Sequence, residues 1–391
     1  MKRWKGGAVK LADEALKDAI RGKRVALMMN GTSVHNDGRL LLDVIVEEKW
    51  AEVAFFFGME HGVRCNYAAG EKDEVRVDEK TGVPIVSLYD YEDYRPPVEC
   101  LQGIDAVVYS AQDAGVRHWT FTPWLMLLMD TVAKAGCELI IVDRPNPIRG
   151  DIVEGNVGEQ KYHGTLLCGF DYPLRHGMTV GELALMYNDE RQLGINLTVL
   201  KMEGWRRDMW YDETGLLWIP PTPNVPTPDT FLYFCTTGLL QGTNVSFGRK
   251  TTTPFQFFGR PEFDAEELCE ELNSRELDDV YFAPKFNMSN CLVDESVIIP
   301  CRGALITVRD RDSYRAVRTQ LHIFDALKKL YHPAYVDFEC ETAKYWAHKR
   351  MATDDLTELL RRGESPLLLL EKWERQSAEF EKRREKYLLY K

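Results

Sequence analysis

Arg24-Val25-Ala26-Leu27-Met28-Met29 runs straight into Asn30-Gly31-Thr32-Ser33, and Gly38 to Trp50 then carries apolar residues at helical spacing. An apolar run, a polar cluster and an amphipathic stretch together make a βα unit. The unit recurs. Val53 to Phe57 leads into Glu60-His61-Gly62. Asp105 to Tyr109 leads into Gln112-Asp113-Ala114-Gly115-Val116-Arg117 and a predicted helix from about Pro123 to Ala135. Glu138 to Val142 leads into Asp143-Arg144-Pro145-Asn146-Pro147. Strands this continuously apolar are buried on both faces, as in a parallel sheet covered by helices on each side. The expected class is α/β: a Rossmann-like, mostly parallel sheet with helices on both faces. Ligands of such sheets sit beyond the carboxyl ends of the strands, so the four polar clusters share one functional rim.

Downstream, Thr179-Val180-Gly181-Glu182 opens a helix to about Asn188, and Leu197 to Lys201 is a further strand. Pro220 to Pro228 is too proline-dense for either regular element. It marks the boundary between residues 1–228, the Rossmann-like domain, and residues 229–391, a smaller α+β domain. In the second part, helices are predicted from about Asp264 to Asn273, Ser313 to Leu330 and Pro366 to Tyr387, with strands near Val280 to Phe286 and Ala304 to Arg309.

Composition narrows the function. The net charge of -12 has the wrong sign for a protein that collects phosphate backbones, so no nucleic-acid partner is expected. The charge-free run Trp119 to Met129 falls far short of the roughly 20 residues a bilayer requires, so no membrane is crossed. Basic residues up to Lys10 are followed by Asp13 and Glu14 rather than an apolar segment, which gives no secretion signal. Nine scattered cysteines without a C-x-x-C pair read as reduced, mostly buried thiols of a cytoplasmic chain. Asn30-Gly31-Thr32 stands where a dinucleotide fold would carry G-x-G-x-x-G. No cofactor is expected, and the histidines form no metal-binding motif.

Glu60-His61-Gly62 is the sharpest feature. A carboxyl group just past a Phe-rich strand lies against apolar surface, where burial favours the protonated form a proton donor requires. His61 supplies a second titrating group or a substrate hydrogen bond. The alternative use of Glu60 is an ion pair with Arg64. Gln112, Asp113, Arg117 and His118 form a candidate binding wall, in which an Arg matches a substrate carboxylate bidentately; the alternative is an Asp113 to Arg117 brace within the loop. Asp143, Arg144 and Asn146 surround two prolines, as a rigid ligand platform or as Asx-turns. Thr179 and Glu182 have capping-box spacing.

At these residues the chain resembles the NamZ-type exo-β-N-acetylmuramidases, glycoside hydrolases that release N-acetylmuramic acid from the non-reducing end of peptidoglycan fragments. The resemblance runs from about Val25 to Tyr390. It rests on Asn30 to Ser33, Met59 to Gly62, Ala69 to Glu71, Thr81 to Tyr89, Gln112 to Arg117, Asp143 to Pro147, Arg175 to Ala184 and Gly242 to Ser246. It implies a catalytic domain with a smaller C-terminal domain closing over its cleft, and it places the catalytic glutamate at Glu60.

The expectation is therefore a cytoplasmic hydrolase acting on a muropeptide-derived amino sugar, in cell-wall recycling. Glu60, His61 and Asp113 are its catalytic candidates. Asn30, Gln112, Arg117, Asp143, Arg144, Asn146, His176, Glu182, Asn224, Asn244, Ser246 and Arg249 are its substrate-binding candidates. Arg117, Arg144 and Arg249 are the cations available to the lactyl carboxylate. Glycosidases generally use two carboxyl groups, and Asp113, Asp143 and Glu182 compete for the second place. The departures from the family pattern are Gln241, Phe247, Lys250 and Gln256, with Ser110-Ala111 ahead of Gln112; they remove acidic positions. Two rival expectations follow: a sugar binder without activity, and a hydrolase retuned to another anionic sugar.

Overall fold

The computed structural model describes residues 7–72, 74–290, 298–331 and 349–391. Its first eight strands are β1 (Arg24–Met29), β2 (Glu52–Gly58), β3 (Ile85–Ser87), β4 (Ala106–Ser110), β5 (Glu138–Val142), β6 (Glu154–Val157), β7 (Pro173–Arg175) and β8 (Leu197–Leu200). Six of them form one sheet in the order β3-β2-β1-β4-β5-β8, and every neighbouring pair is parallel.

The period of two along each strand sorts side chains onto two cores. From β1, Val25, Leu27 and Met29 join Leu16, Ile20, Leu41 and Ile45 of the helices Asp13–Ile20 and Leu41–Glu47 on one face. Ala26 and Met28 point the other way, toward Leu125, Leu128 and Leu183 of the helices Phe121–Ala135 and Val180–Glu190. Helices therefore cover both faces, as the apolar runs require. Strand order reverses between β1 and β4, the topological switch point.

A second sheet, β10-β11-β9, is antiparallel and built from β9 (Phe257–Arg260), β10 (Val280–Asn290) and β11 (Ile298–Val308). β10 and β11 outrun the sequence expectation. Their outer parts expose Phe286, Met288 and Ile298 on one face, while Ser289 and Cys301 are buried on the other. The helix Ala265–Asn273 packs on this sheet, and the helix Ala316–Tyr331 packs against that helix. Their Leu268, Leu321 and Phe324 belong to the same continuous core as Met28 and Trp124 of the larger sheet's layers.

The chain end returns to the first sheet. After the helix Leu370–Arg384, the Leu389 amide donates to Glu182 Oε1 at 2.8 Å and the Tyr390 hydroxyl donates to Asp143 Oδ2 at 2.7 Å. Among the described residues no helix is long and apolar enough to cross a membrane. The described cysteines 65, 100, 137, 168, 235, 269 and 301 are all free; Cys291 and Cys340 lie outside the described residues.

Candidate active site

Beyond β2 the backbone turns sharply: His61 has φ +67° and Gly62 has φ +72°. For a residue with a Cβ the left-handed region costs about 1–2 kcal/mol, and strain of this kind tends to collect at functional sites. Glu60, 9% exposed, is held at the wall of a cleft it shares with His61, Ala69, His118, Trp119, Asn224, Gln241, Arg249 and Arg350. Glu60 Oε1 accepts the Gly70 N–H at 2.8 Å, and Oε2 accepts the Tyr89 hydroxyl. Burial and the Glu60 charge push the Tyr89 phenol well above its usual range, so Tyr89 is the donor of that pair. Arg64 does not pair with Glu60. It binds Asp78 at 2.6 and 2.8 Å and Asp43 at 2.8 Å.

His61 Nδ1 lies 3.0 Å from the Tyr67 carbonyl. A carbonyl only accepts, so Nδ1 carries the hydrogen, and in the neutral ring the lone pair is on Nε2. The cleft's far wall comes from later in the chain. Phe234 stands on the helix Thr230–Thr237, Gln241 on the 3-10 turn Gly238–Gly242, and Arg249 and Phe255 on the loop before β9. Among the described lining residues, Glu60 is the one carboxyl group.

The crevice at the switch point itself is filled by protein. Asn30 Oδ1 accepts from the Thr32 hydroxyl at 2.6 Å, Thr32 Oγ1 takes the Gln112 N–H at 2.9 Å, and Gln112 Nε2 donates to the Pro145 carbonyl at 2.8 Å. Arg144 donates to Ser110 Oγ at 2.9 Å and the Val34 carbonyl at 3.1 Å. Asn146 closes an Asx-turn on the Ile148 N–H at 3.1 Å and donates to the Met178 carbonyl. These residues stitch the loops after β1, β4 and β5 to one another and support the cleft from outside its lining.

The three competitors for a second carboxyl role are also committed. Asp113 accepts from Thr122 Oγ1 and the Gly115 N–H, both at 2.7 Å, and lies 3.3 Å from His176 Nε2. Asp143 accepts from Thr179 Oγ1, the Gly181 N–H and Tyr390; burial pushes its carboxyl up to about 6. Glu182 completes the capping box with Thr179 and takes a two-armed contact from Arg207 at 2.7 and 3.1 Å.

Arg117 makes no brace with Asp113. Its wholly buried guanidinium donates to the carbonyls of Asn156 at 2.6 Å, Tyr172 at 3.0 Å and Met351 at 2.6 Å. The Ser246 hydroxyl pairs with Ser289, and the Asn244 carbonyl takes Arg260 Nη1 at 2.9 Å. Of the expected contact residues, the structure thus brings together Glu60, His61, Asn224 and Arg249. Of the candidate binding wall it brings His118 into the lining, and it adds Trp119, Gln241 and Arg350 there and Tyr89 behind Glu60. Nothing local in the sequence marks Arg350 or Gln241 as neighbours of Glu60, and Trp119 is signalled only by following His118 in the candidate wall.

The unusual positions separate in the same way. Gln241 lines the cleft, whereas Phe247 is buried against Phe255 at 5.7 Å between ring centres. Gln256 donates to the Ile306 carbonyl at 3.0 Å, and the exposed Lys250 uses its backbone N–H on Asn224 Oδ1 at 2.8 Å. A larger cleft of about 280 Å³ lies between β6 and the helices Ala316–Tyr331 and Leu370–Arg384. Its buried carboxyl and hydroxyl are committed: Glu154 binds Arg175 and the Val317 N–H, and Ser377 donates to the Gly155 carbonyl. Among the described residues no three His, Cys, Asp or Glu side chains cluster as a metal would require.

Comparison with known proteins covers nearly the whole chain. Residues 25–229 match the family description "Exo-beta-N-acetylmuramidase NamZ, N-terminal" and residues 232–390 match its C-terminal counterpart. The chain is 34% identical over 375 residues to the peptidoglycan beta-N-acetylmuramidase NamZ of Bacillus subtilis (strain 168), covering 96% of this chain and 88% of that protein. Crystal structures of two DUF1343 family proteins from Bacteroides fragilis are similar to it. One superposes with TM-score 0.89 at 31% identity, the other with 0.73 at 27%, each covering 98% of this chain and 99% of its own. With both halves of the chain matched and the glutamate at the end of β2 set into the shared cleft, the protein belongs to the NamZ exo-β-N-acetylmuramidase family.

Proposed function

We propose that this chain is an exo-acting glycoside hydrolase that releases terminal N-acetylmuramic acid, or a closely related anionic amino sugar, from peptidoglycan-derived fragments. The observation that carries the reading is Glu60, nearly buried, fixed at both oxygens and set into the cleft wall. In its protonated form it delivers a proton to the glycosidic oxygen as the bond to the anomeric carbon breaks, and water supplies the hydroxyl that the anomeric carbon gains and the proton that restores Glu60. His61 positions the substrate beside it. Arg249 and Arg350 line the same cleft and supply the positive charge a lactyl carboxylate needs, a role that the carbonyl-bound Arg117 and the loop-stitching Arg144 do not fill. Trp119, Phe234 and Phe255 offer the sugar ring an apolar wall.

Residues 1–228 contribute Glu60 and residues 229–391 contribute Gln241, Arg249 and Arg350, so the cleft is completed by both lobes. The free thiols fit a reducing compartment, the cytoplasm, where imported wall fragments would be recycled. The experiment is incubation with a chromogenic N-acetylmuraminide and its N-acetylglucosaminide counterpart, followed by calorimetry with N-acetylmuramic acid. Turnover of the muraminide is expected. Heat without product would identify a non-catalytic sugar binder, and neither turnover nor heat from folded protein would remove the reading altogether.

A further inference from the structure

Among the side chains of the cleft, His118 and Trp119 carry polar atoms that the protein leaves unused. Both ring nitrogens of His118 and Nε1 of Trp119 are buried without a hydrogen-bond partner among the described residues, although both residues line the cleft beside Glu60 and His61. Buried polar groups in folded proteins are almost always paired, and an orphaned one costs stability. Adjacent unpaired groups that line one cleft need a reason.

Neither ring is free to turn away. The imidazole packs on Phe234 with ring centres 4.6 Å apart, and its Nε2 is so close to Gly238 that a Cβ there would sit 2.6 Å from it. The Trp119 indole is edge-packed against Phe121, Phe231 and Phe234 at 5.0, 5.0 and 5.8 Å. Such packing holds recognition groups ready before a ligand arrives. Burial, together with the positive charges of Arg350 and Arg117, pushes the His118 imidazole well below its usual range. It is therefore uncharged near neutral pH and offers one N–H and one lone pair, beside the indole N–H.

We propose that His118 and Trp119 form a specificity subsite that hydrogen-bonds the acetamido group of the terminal sugar. An amide brings a carbonyl oxygen for the N–H donors and an N–H for the imidazole lone pair, so it satisfies whichever ring nitrogen faces it. The division of labour is chemical: the arginines meet the carboxylate, and the uncharged pair reads the neutral substituent. The inference rests on the glycosidase reading of this cleft and adds the part of the sugar recognised there.

The test compares wild type with His118→Phe and Trp119→Phe on a 4-nitrophenyl N-acetylmuraminide and on its analogue with hydroxyl in place of acetamido. Loss of one buried hydrogen bond to substrate should lower kcat/KM on the acetamido substrate roughly 10-fold, mostly through KM. Each variant should lose clearly less on the analogue than on the acetamido substrate. The melting temperature should stay level or rise, because Phe replaces orphaned polar atoms by carbon. Equal losses on both substrates, no loss on either, or a fall in melting temperature that accounts for the lost activity would overturn the proposal. Trp119→Phe keeps the question open to refutation if His118→Phe does not fold. If wild type cleaves neither substrate, the glycosidase reading fails by itself. Calorimetry then decides the subsite, which requires N-acetylmuramic acid to bind wild type more tightly than muramic acid does and His118→Phe to abolish that difference.

Discussion

Glu60→Gln separates proton donation from every other contribution Glu60 makes. The substitution keeps the shape of the side chain. The amide oxygen can take the Gly70 N–H that Oε1 now accepts at 2.8 Å, and the amide nitrogen can donate to the Tyr89 oxygen once that hydroxyl rotates. The exchange of hydrogen bonds should change stability by no more than about 1 kcal/mol. What disappears is the transferable proton. A positioned general acid contributes about 10²- to 10⁴-fold, or about 2.7–5.5 kcal/mol of barrier. That loss should be read in kcat for a disaccharide, whose leaving sugar alkoxide must be protonated. A 4-nitrophenyl muraminide releases a stable phenolate, so the variant should lose about 10-fold or less there. Reducing-sugar release and nitrophenol absorbance, with urea unfolding as control, measure all three quantities. Equal losses on the two substrates would show that Glu60 binds or shapes the site without donating a proton. Retention of disaccharide activity within a fewfold would refute its role outright.

Arg249→Met should raise KM for the muraminide roughly 10- to 150-fold, the worth of hydrogen bonds to a charged group, and leave the glucosaminide unaffected; steady-state kinetics on the pair checks it. Arg117→Lys should destabilise the protein by about 2–3 kcal/mol in urea, because an ammonium cannot serve the carbonyls of Asn156, Tyr172 and Met351 together, yet KM should stay within about twofold. Asp143 gives a pH dependence. Its carboxyl is raised from 3.8 to about 6 by burial, so between those values the folded chain keeps a proton that the unfolded chain releases. Stability from this group therefore falls as pH rises through that window, by about 3 kcal/mol at about 1.4 kcal/mol per tenfold. Urea midpoints at pH 4.5 and pH 7 should show the Asp143→Asn variant gaining on wild type at the higher pH.

Sequence alone determined the sheet, its parallel sense and the rim on which chemistry collects, because these follow from short-range patterns. Val25, Leu27 and Met29 face one core and Ala26 and Met28 the other by alternation that a strand cannot avoid. Glu60 was legible for the same reason, as an acid placed just past a Phe-rich strand, and Glu182 as a cap by its distance from Thr179. Tertiary structure decided which polar groups at that rim remain available. Arg117, Arg144, Asp113 and Asn146 have the right chemistry and the right strand ends, but carbonyls from distant segments take the donors of Arg117, Arg144 and Asn146, and Gly115 and Thr122, close by in the chain, take Asp113. Conversely, Gln241, Arg249 and Arg350 enter the cleft only because the second lobe shares a continuous core with the first. A side chain's type is written in the chain, whereas its unspent valence depends on what packs against it.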